Sequence, residues 1–166
     1  LYIVLMLLPF QVTMVPSYLV LRQFGLLDTP WAIILPGIFS TFPVFIMELG
    51  FDTVPREVLE SASIDGANQW QRFWRIGIPL GIPGLISALT LGFLDAWNAI
   101  EQPMTFLESP QYWPLSLFFT DPANLDTKQL GLAMAASLWM LLPSILAFRF
   151  GQTYLEAGLT KGAVKG

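Results

Sequence analysis

The sequence predicts an all-α membrane protein, a polytopic helical bundle, and three observations predict it. Hydrophobic residues make up 54% of the 166-residue chain and charged residues only 12%, a balance that water-soluble domains of this size do not use. Four stretches carry no charged side chain and are long enough for a helix to cross a hydrocarbon core of about 30 Å. They are Tyr2 to Leu21, Thr29 to Met47, Ile76 to Leu94 and Gln129 to Phe148. All four are continuously apolar, whereas strands of a spanning barrel would alternate with period two.

The first stretch is already apolar at Leu1, with no initiator Met, basic leader or small-residue cleavage pattern. The chain is therefore expected to be the carboxyl-terminal part of a longer protein whose N-terminal spans are missing here. The second stretch contains Pro36 and Pro43, the third Pro83 and the fourth Pro143, while Pro9 and Pro16 lie in the first. Each removes a backbone donor and favours a kink. The third span is expected to enter the membrane near Pro79 and to continue past Asp95 toward Ile100.

Function classes narrow quickly. The chain has no Cys and no His, which removes disulfides, thiolate chemistry, the usual zinc ligands and the commonest general base. No metal site and no catalytic site are expected. A net charge of −4 argues against a nucleic-acid partner, because phosphate binding needs a basic face. No phosphate loop of the form G-x-x-x-x-G-K-[ST] is present.

The basic residues orient the chain. Arg56, Arg72 and Arg75 fall between the second and third stretches, and Arg149, Lys161 and Lys165 fall in the tail. Two spans separate these regions, so both face one side, which the positive-inside rule makes cytoplasmic. These are six of the eight basic residues, with Arg22 against the trend. The segment from Glu101 to Lys128 then faces outward.

Between the second and third stretches, residues 52–78 read as a helix, a tight turn and a second short helix. Pro55 suits the first helical position, with Glu57 and Glu60 near the positive end. Val58, Leu59 and Ala62 share a face. Asp65-Gly66 signals the turn, Asp65 is expected to cap the second helix, and Trp70, Phe73 and Trp74 follow at i, i+3 and i+4. Gly77-x-x-x-Gly81, with Pro79 inside it, is expected as a plain turn at the membrane entry. Such a hairpin suits either a lipid surface or a protein groove.

The spacing Glu60, Ala62, Gly66, Ile76, Pro79 resembles the loop by which importer-type ABC permeases grip their ATPase. Pro9-Phe-Gln-Val-Thr-Met-Val-Pro16, Phe24-Gly-Leu-Leu-Asp-Thr-Pro-Trp-Ala-Ile-Ile-Leu-Pro36, Trp97-Asn98 and the terminal Gly158-Leu-Thr-Lys-Gly-Ala-Val-Lys-Gly166 resemble the carbohydrate-uptake branch, the maltose-type second permease. The resemblance implies that residues 1–166 form one permease domain with about four spans, and that residues 52–78 are its cytoplasmic coupling loop. Glu60, Ala62, Asp65, Gly66, Trp70, Phe73 and Trp74 would contact the ATPase. It further implies a multi-pass protein of the cell inner membrane with its C-terminus in the cytoplasm. A second permease subunit, a dimeric cytoplasmic ATPase holding ATP and Mg, and an extracytoplasmic sugar-binding protein would complete the machine. This chain would itself hold no cofactor and hydrolyse nothing.

An ion-coupled secondary transporter is the alternative, resting on Asp95 as the main deep carboxylate. Asp95 lies about 24 Å along a helix from Pro79. With Asn98 and Glu101 it is expected to share one helical face, beside Gln102, either lining a sugar pathway or forming a seam with the partner permease. From Met104 to Lys128 the outward segment is long for a plain connection. Tyr112, Trp113 and Pro122 are the expected contacts with the binding protein, a solvated loop being the other reading.

Overall fold

The computed structural model describes residue 6 and residues 8–120 and 130–163, with side chains described at 6, 8–117 and 130–155. Among them all regular structure is helical. The chain forms two compact units: residues 1–41 with 93–147, and residues 42–92 with 148–166. Each is described by itself.

In the first unit, α1 (Phe10–Gln23) follows an extended Pro9, whose missing N–H is one that a helix start leaves unpaired in any case. It ends at Gly25, which adopts φ +66°. The Gly25 N–H donates to the Arg22 carbonyl (3.1 Å) and the Leu26 N–H to that of Leu21 (2.9 Å), the paired bonds of a Schellman ending. α2 (Trp31–Ile38) stops at Phe39, and α3 (Thr41–Phe51) restarts two residues later. Pro43 explains the interruption of the second predicted span: in an unbroken helix its ring would meet the Phe39 carbonyl, and it has no N–H to give.

The core of this unit is Leu21, Ala32, Phe106 and Leu107, all buried, with Phe10, Tyr18, Leu26, Leu27 and Ile33 packed around them. Phe106 belongs to α7 (Glu101–Phe106), and its ring stands edge-on to Phe10 at 6.0 Å, a geometry aromatic quadrupoles favour. After α7, 3-10 turns follow at Pro110–Tyr112 and Leu115–Thr120. Buried Ser116 donates to the Ala99 carbonyl at 2.6 Å, and Leu117 is buried beside it in sequence. The segment from Met104, long for a plain connection, thus carries helical turns as far as residue 120.

In the second unit, α3 packs on α6 (Ile78–Trp97) through glycine. Gly50 and Gly84 touch backbone to backbone, and a Cβ on either would collide with the other's Cα. Gly81 lies under the Phe51 ring, where an added Cβ would come within 2.6 Å. Small residues allow such close approach where lipid supplies no hydrophobic drive between helices. α8 (Leu130–Ala163) contributes Gly151, which lies against Thr90.

Among the described residues, three helical stretches are long and apolar enough to cross a membrane: Trp31–Phe51, Gln69–Trp97 and Leu130–Leu155. They carry the second, third and fourth predicted spans. The first predicted span is only partly described, as the 14-residue α1.

The third span corrects one expectation. Its helix does not begin near Pro79 after a turn; it runs from Gln69 to Trp97, a stretch of 29 residues. α5 (Gln69–Arg72) passes through a π-helical turn, Phe73–Gly77, directly into α6. Ile78 donates five residues back, to the Phe73 carbonyl. Pro79 would clash with the Arg75 carbonyl in a regular α-helix, and the extra residue of a π turn relieves that conflict without ending the helix. Gly77 and Gly81 are both helical and buried, so they do not form the plain turn expected of them.

Candidate functional site

Residues 52–78 fold as the expected hairpin, with different capping. Pro55 is the extended residue before α4 (Arg56–Ile64), one position earlier than predicted. Glu57 lies in the first turn, and the Ser61 hydroxyl donates to its carbonyl at 2.8 Å. Glu60 is exposed and Ala62 half-buried. Asp65 does not cap the second helix; it closes the first. Gly66 (φ +85°) then makes a Schellman ending, its N–H donating to Ser63 (3.1 Å) and the Ala67 N–H to Ala62 (2.9 Å).

Asn68 is the true cap of α5. Its Oδ1 accepts from the Gln71 N–H, while the Gln71 side-chain oxygen accepts from the Asn68 N–H, both at 2.9 Å. This reciprocal box needs an acceptor three residues before Gln71, and Asp65 is six before it. The Asn-x-x-Gln signal was present in the sequence.

The hairpin's aromatic residues face outward from the unit. Trp70 is 72% exposed, Trp74 60% and Phe73 45%. Their rings stand edge-on in series, Trp70 to Phe73 at 6.5 Å and Phe73 to Trp74 at 5.3 Å. The Arg72 Nε is buried with no hydrogen-bond partner among the described residues. A cluster this apolar on a short polar hairpin fits a docking surface.

Asp95, Asn98 and Glu101 do not share one helical face. α6 ends at Trp97, Asn98 turns its amide back to the Leu94 carbonyl at 2.7 Å, and Glu101 starts α7. Pro103 accounts for the break, since in a continuous helix its ring would meet the Ala99 carbonyl. Glu101 instead meets Gln11 of α1, whose Nε2 donates to both carboxylate oxygens at 3.2 and 3.3 Å. Tyr112 and Trp113 are exposed, at and just after a 3-10 turn; Pro122 lies outside the described residues.

Asp28 was missed by sequence reasoning. It adopts φ +56°, a region that Asp tolerates better than most residues. Its Oδ1 accepts from the N–H groups of Glu108 (2.9 Å) and Ser109 (2.7 Å), and its Oδ2 from the Ser109 hydroxyl (2.5 Å). Bonds from Ser109, side chain first and then backbone, hold its carboxyl below the ordinary value of 3.8. Eighty residues separate the partners, and no local signal announces the clasp.

Residues 1–161 match the family described as the binding-protein-dependent transport system inner membrane component. The chain is 32% identical to Protein LplC of Bacillus subtilis (strain 168), over 92% of this chain and 57% of that protein. It is 30% identical to the arabinooligosaccharides transport system permease protein AraQ of Halalkalibacterium halodurans, over 100% of this chain and 60% of the relative. The diacetylchitobiose uptake system permease protein DasC of Streptomyces coelicolor is 32% identical over 95% and 58%. The chain thus spans a little under three-fifths of the length of most of these relatives. A multi-pass helical protein with a capped, aromatic hairpin leading into a span, matched over nearly its whole length, belongs to the family of binding-protein-dependent transport system inner membrane components.

Proposed function

We propose that this chain is a transmembrane permease subunit of an ATP-driven sugar importer, acting with a second permease, a dimeric cytoplasmic ATPase that binds ATP and Mg, and an extracytoplasmic sugar-binding protein. One observation carries the reading: an exposed aromatic hairpin continues without a break into a membrane-length helix. Its family and its relatives, among them proteins named for arabinooligosaccharides and diacetylchitobiose, support the same assignment.

In this mechanism Glu60, Ala62, Asp65, Gly66, Trp70, Phe73 and Trp74 enter a groove of the ATPase. Closure of the ATPase on ATP displaces the hairpin. Because α5 is helically continuous with α6, that displacement travels into the span instead of being absorbed by a loop. The π turn at Phe73–Gly77 is where the helix would bend. Movement of the attached spans exchanges outward for inward access. The distribution of Arg and Lys supports a cytoplasmic hairpin and tail, with Tyr112, Trp113 and Pro122 then on the side of the binding protein.

The test is co-purification and transport. The protein should pull down its ATPase, and the complex in liposomes should import radiolabelled arabinooligosaccharide or diacetylchitobiose only with ATP inside. Uptake of these sugars driven by a sodium or proton gradient without ATP would overturn the proposal.

A further inference from the structure

The charges of the hairpin are segregated. From Asp52 to Gly66 it carries Asp52, Glu57, Glu60 and Asp65 against the single Arg56, whereas from Ala67 to Pro79 the charged residues are Arg72 and Arg75, with no acid. Only the basic half runs unbroken into a membrane-length helix, Gln69–Trp97. That helix has 29 residues, about 43 Å at 1.5 Å per residue, against a hydrocarbon core of about 30 Å. Its uncharged run, Ile76 to Leu94, suffices to fill the core. Arg75 and Arg72 then stand roughly 2 and 6 Å outside it along the axis, at the depth of the lipid headgroups.

Three residues apart, the two arginines share one side of the helix, and helical periodicity turns that side away from Trp70, Phe73 and Trp74. Arg75 is exposed and Arg72 half-buried. The Nε of Arg72 is packed out of reach of solvent with no acceptor, and among the described residues neither guanidinium makes a hydrogen bond or an ion pair. Packing thus holds one edge of the Arg72 fork while its terminal nitrogens stay free to donate. A guanidinium presents its donors in a plane that matches a phosphate through two parallel bonds.

We propose that Arg72 and Arg75 bind the phosphate of an anionic phospholipid in the leaflet beside the hairpin, and thereby fix the depth of the π turn at Phe73–Gly77. Place and charge select this occupant. The pair sits where phospholipid phosphates lie, it has no acid of its own half of the hairpin to neutralise it, and anionic headgroups attract basic residues next to a span. Carboxylates of the ATPase are the competing acceptors, but the aromatic side assigned to that partner is the opposite one. The site depends on the membrane span and not on the ATPase assignment.

Photoactivatable phospholipids test it in phosphatidylcholine vesicles holding the complete purified transporter. Phosphatidylglycerol carrying the photoactivatable group in its headgroup region should label residues 69–80, mapped by peptide mass spectrometry, far more than the matching phosphatidylcholine, and unlabelled phosphatidylglycerol should compete. Inorganic phosphate should not. Each arginine near an anionic surface is worth about fivefold in affinity, so replacing both, Arg72→Gln with Arg75→Gln, should weaken that competition about thirtyfold with the ATPase still bound. Arg72→Lys with Arg75→Lys, which keeps the charge without the fork, should lose only part. Equal labelling by the two lipids in the wild type, which needs no variant, would overturn the site. So would labelling unchanged by the glutamine pair, displacement by inorganic phosphate, which would make it a site for the free anion, or loss of the ATPase from the glutamine pair with lipid labelling intact, which would make the arginines an ATPase contact.

Discussion

Two helix-to-helix links in this chain begin the same way and end differently. After α1, Gly25 at φ +66° closes a Schellman ending; after α4, Gly66 at φ +85° does the same. The first link is then finished by the chain itself. Asp28 clasps Glu108 and Ser109, its own N–H donates to the Phe106 carbonyl at 2.9 Å, and Leu26 and Leu27 pack on buried Phe106 and Leu107. The second link has only its own Asn68–Gln71 box, and the residues around it, Ile64, Trp70 and Trp74, remain 86%, 72% and 60% exposed. A turn completed by its own chain is architecture, whereas a turn of equal quality left uncovered is a surface built for something else. That difference supports assigning ATPase docking to residues 52–78.

The largest expected effect comes from breaking the uncovered turn. A non-glycine residue in the left-handed region costs roughly 1–2 kcal/mol, and a β-branched one is worse placed still. Gly66→Val should therefore abolish co-purification of the ATPase while insertion and thermal stability of the permease stay near wild type. Gly25→Val carries the same backbone penalty but should lower the melting temperature and leave ATPase docking intact. Equal behaviour of the two variants would erase the comparison.

Next in size is the clasp. Asp28→Ala removes the acceptor for two backbone N–H groups and a hydroxyl, so the purified protein should melt earlier and residues 107–113 should become more accessible to protease. Asp28→Asn, which keeps one acceptor oxygen, should recover part of the loss.

These expectations also mark what the sequence could tell. The apolar spans, the glycine turn and the aromatic spacing depend on neighbours within a few residues, and they were legible. Asn68 was legible too, through Gln71 three residues on, but the turn signal of Asp65-Gly66 drew attention to the wrong cap. Pro43, Pro79 and Pro103 were visible as helix disturbers. Whether each would break the helix or be absorbed by a π turn depends on how the next residues pack. The Asp28 clasp and the Gln11–Glu101 contact join residues 80 to 90 positions apart, and no local pattern encodes such pairings.

A smaller effect should follow from Asn68→Ala. Losing a side-chain cap costs about 1 kcal/mol, so docking should weaken by about fivefold in a titration of detergent-solubilised permease with ATPase. The smallest effect concerns pH. Since the folded Asp28 carboxyl titrates below its ordinary 3.8, its contribution to stability is full above that value and disappears as pH falls through the folded pKa. Melting curves of wild type and Asp28→Asn should therefore converge only below about pH 4.

On the proposed function the hairpin, not the Tyr112 region, meets the ATPase. A photocrosslinking amino acid at Trp70, and separately at Tyr112, in membranes containing the complete transporter tests it most directly. Position 70 should capture the ATPase and position 112 the sugar-binding protein. Capture of the ATPase from position 112, with none from position 70, would contradict it.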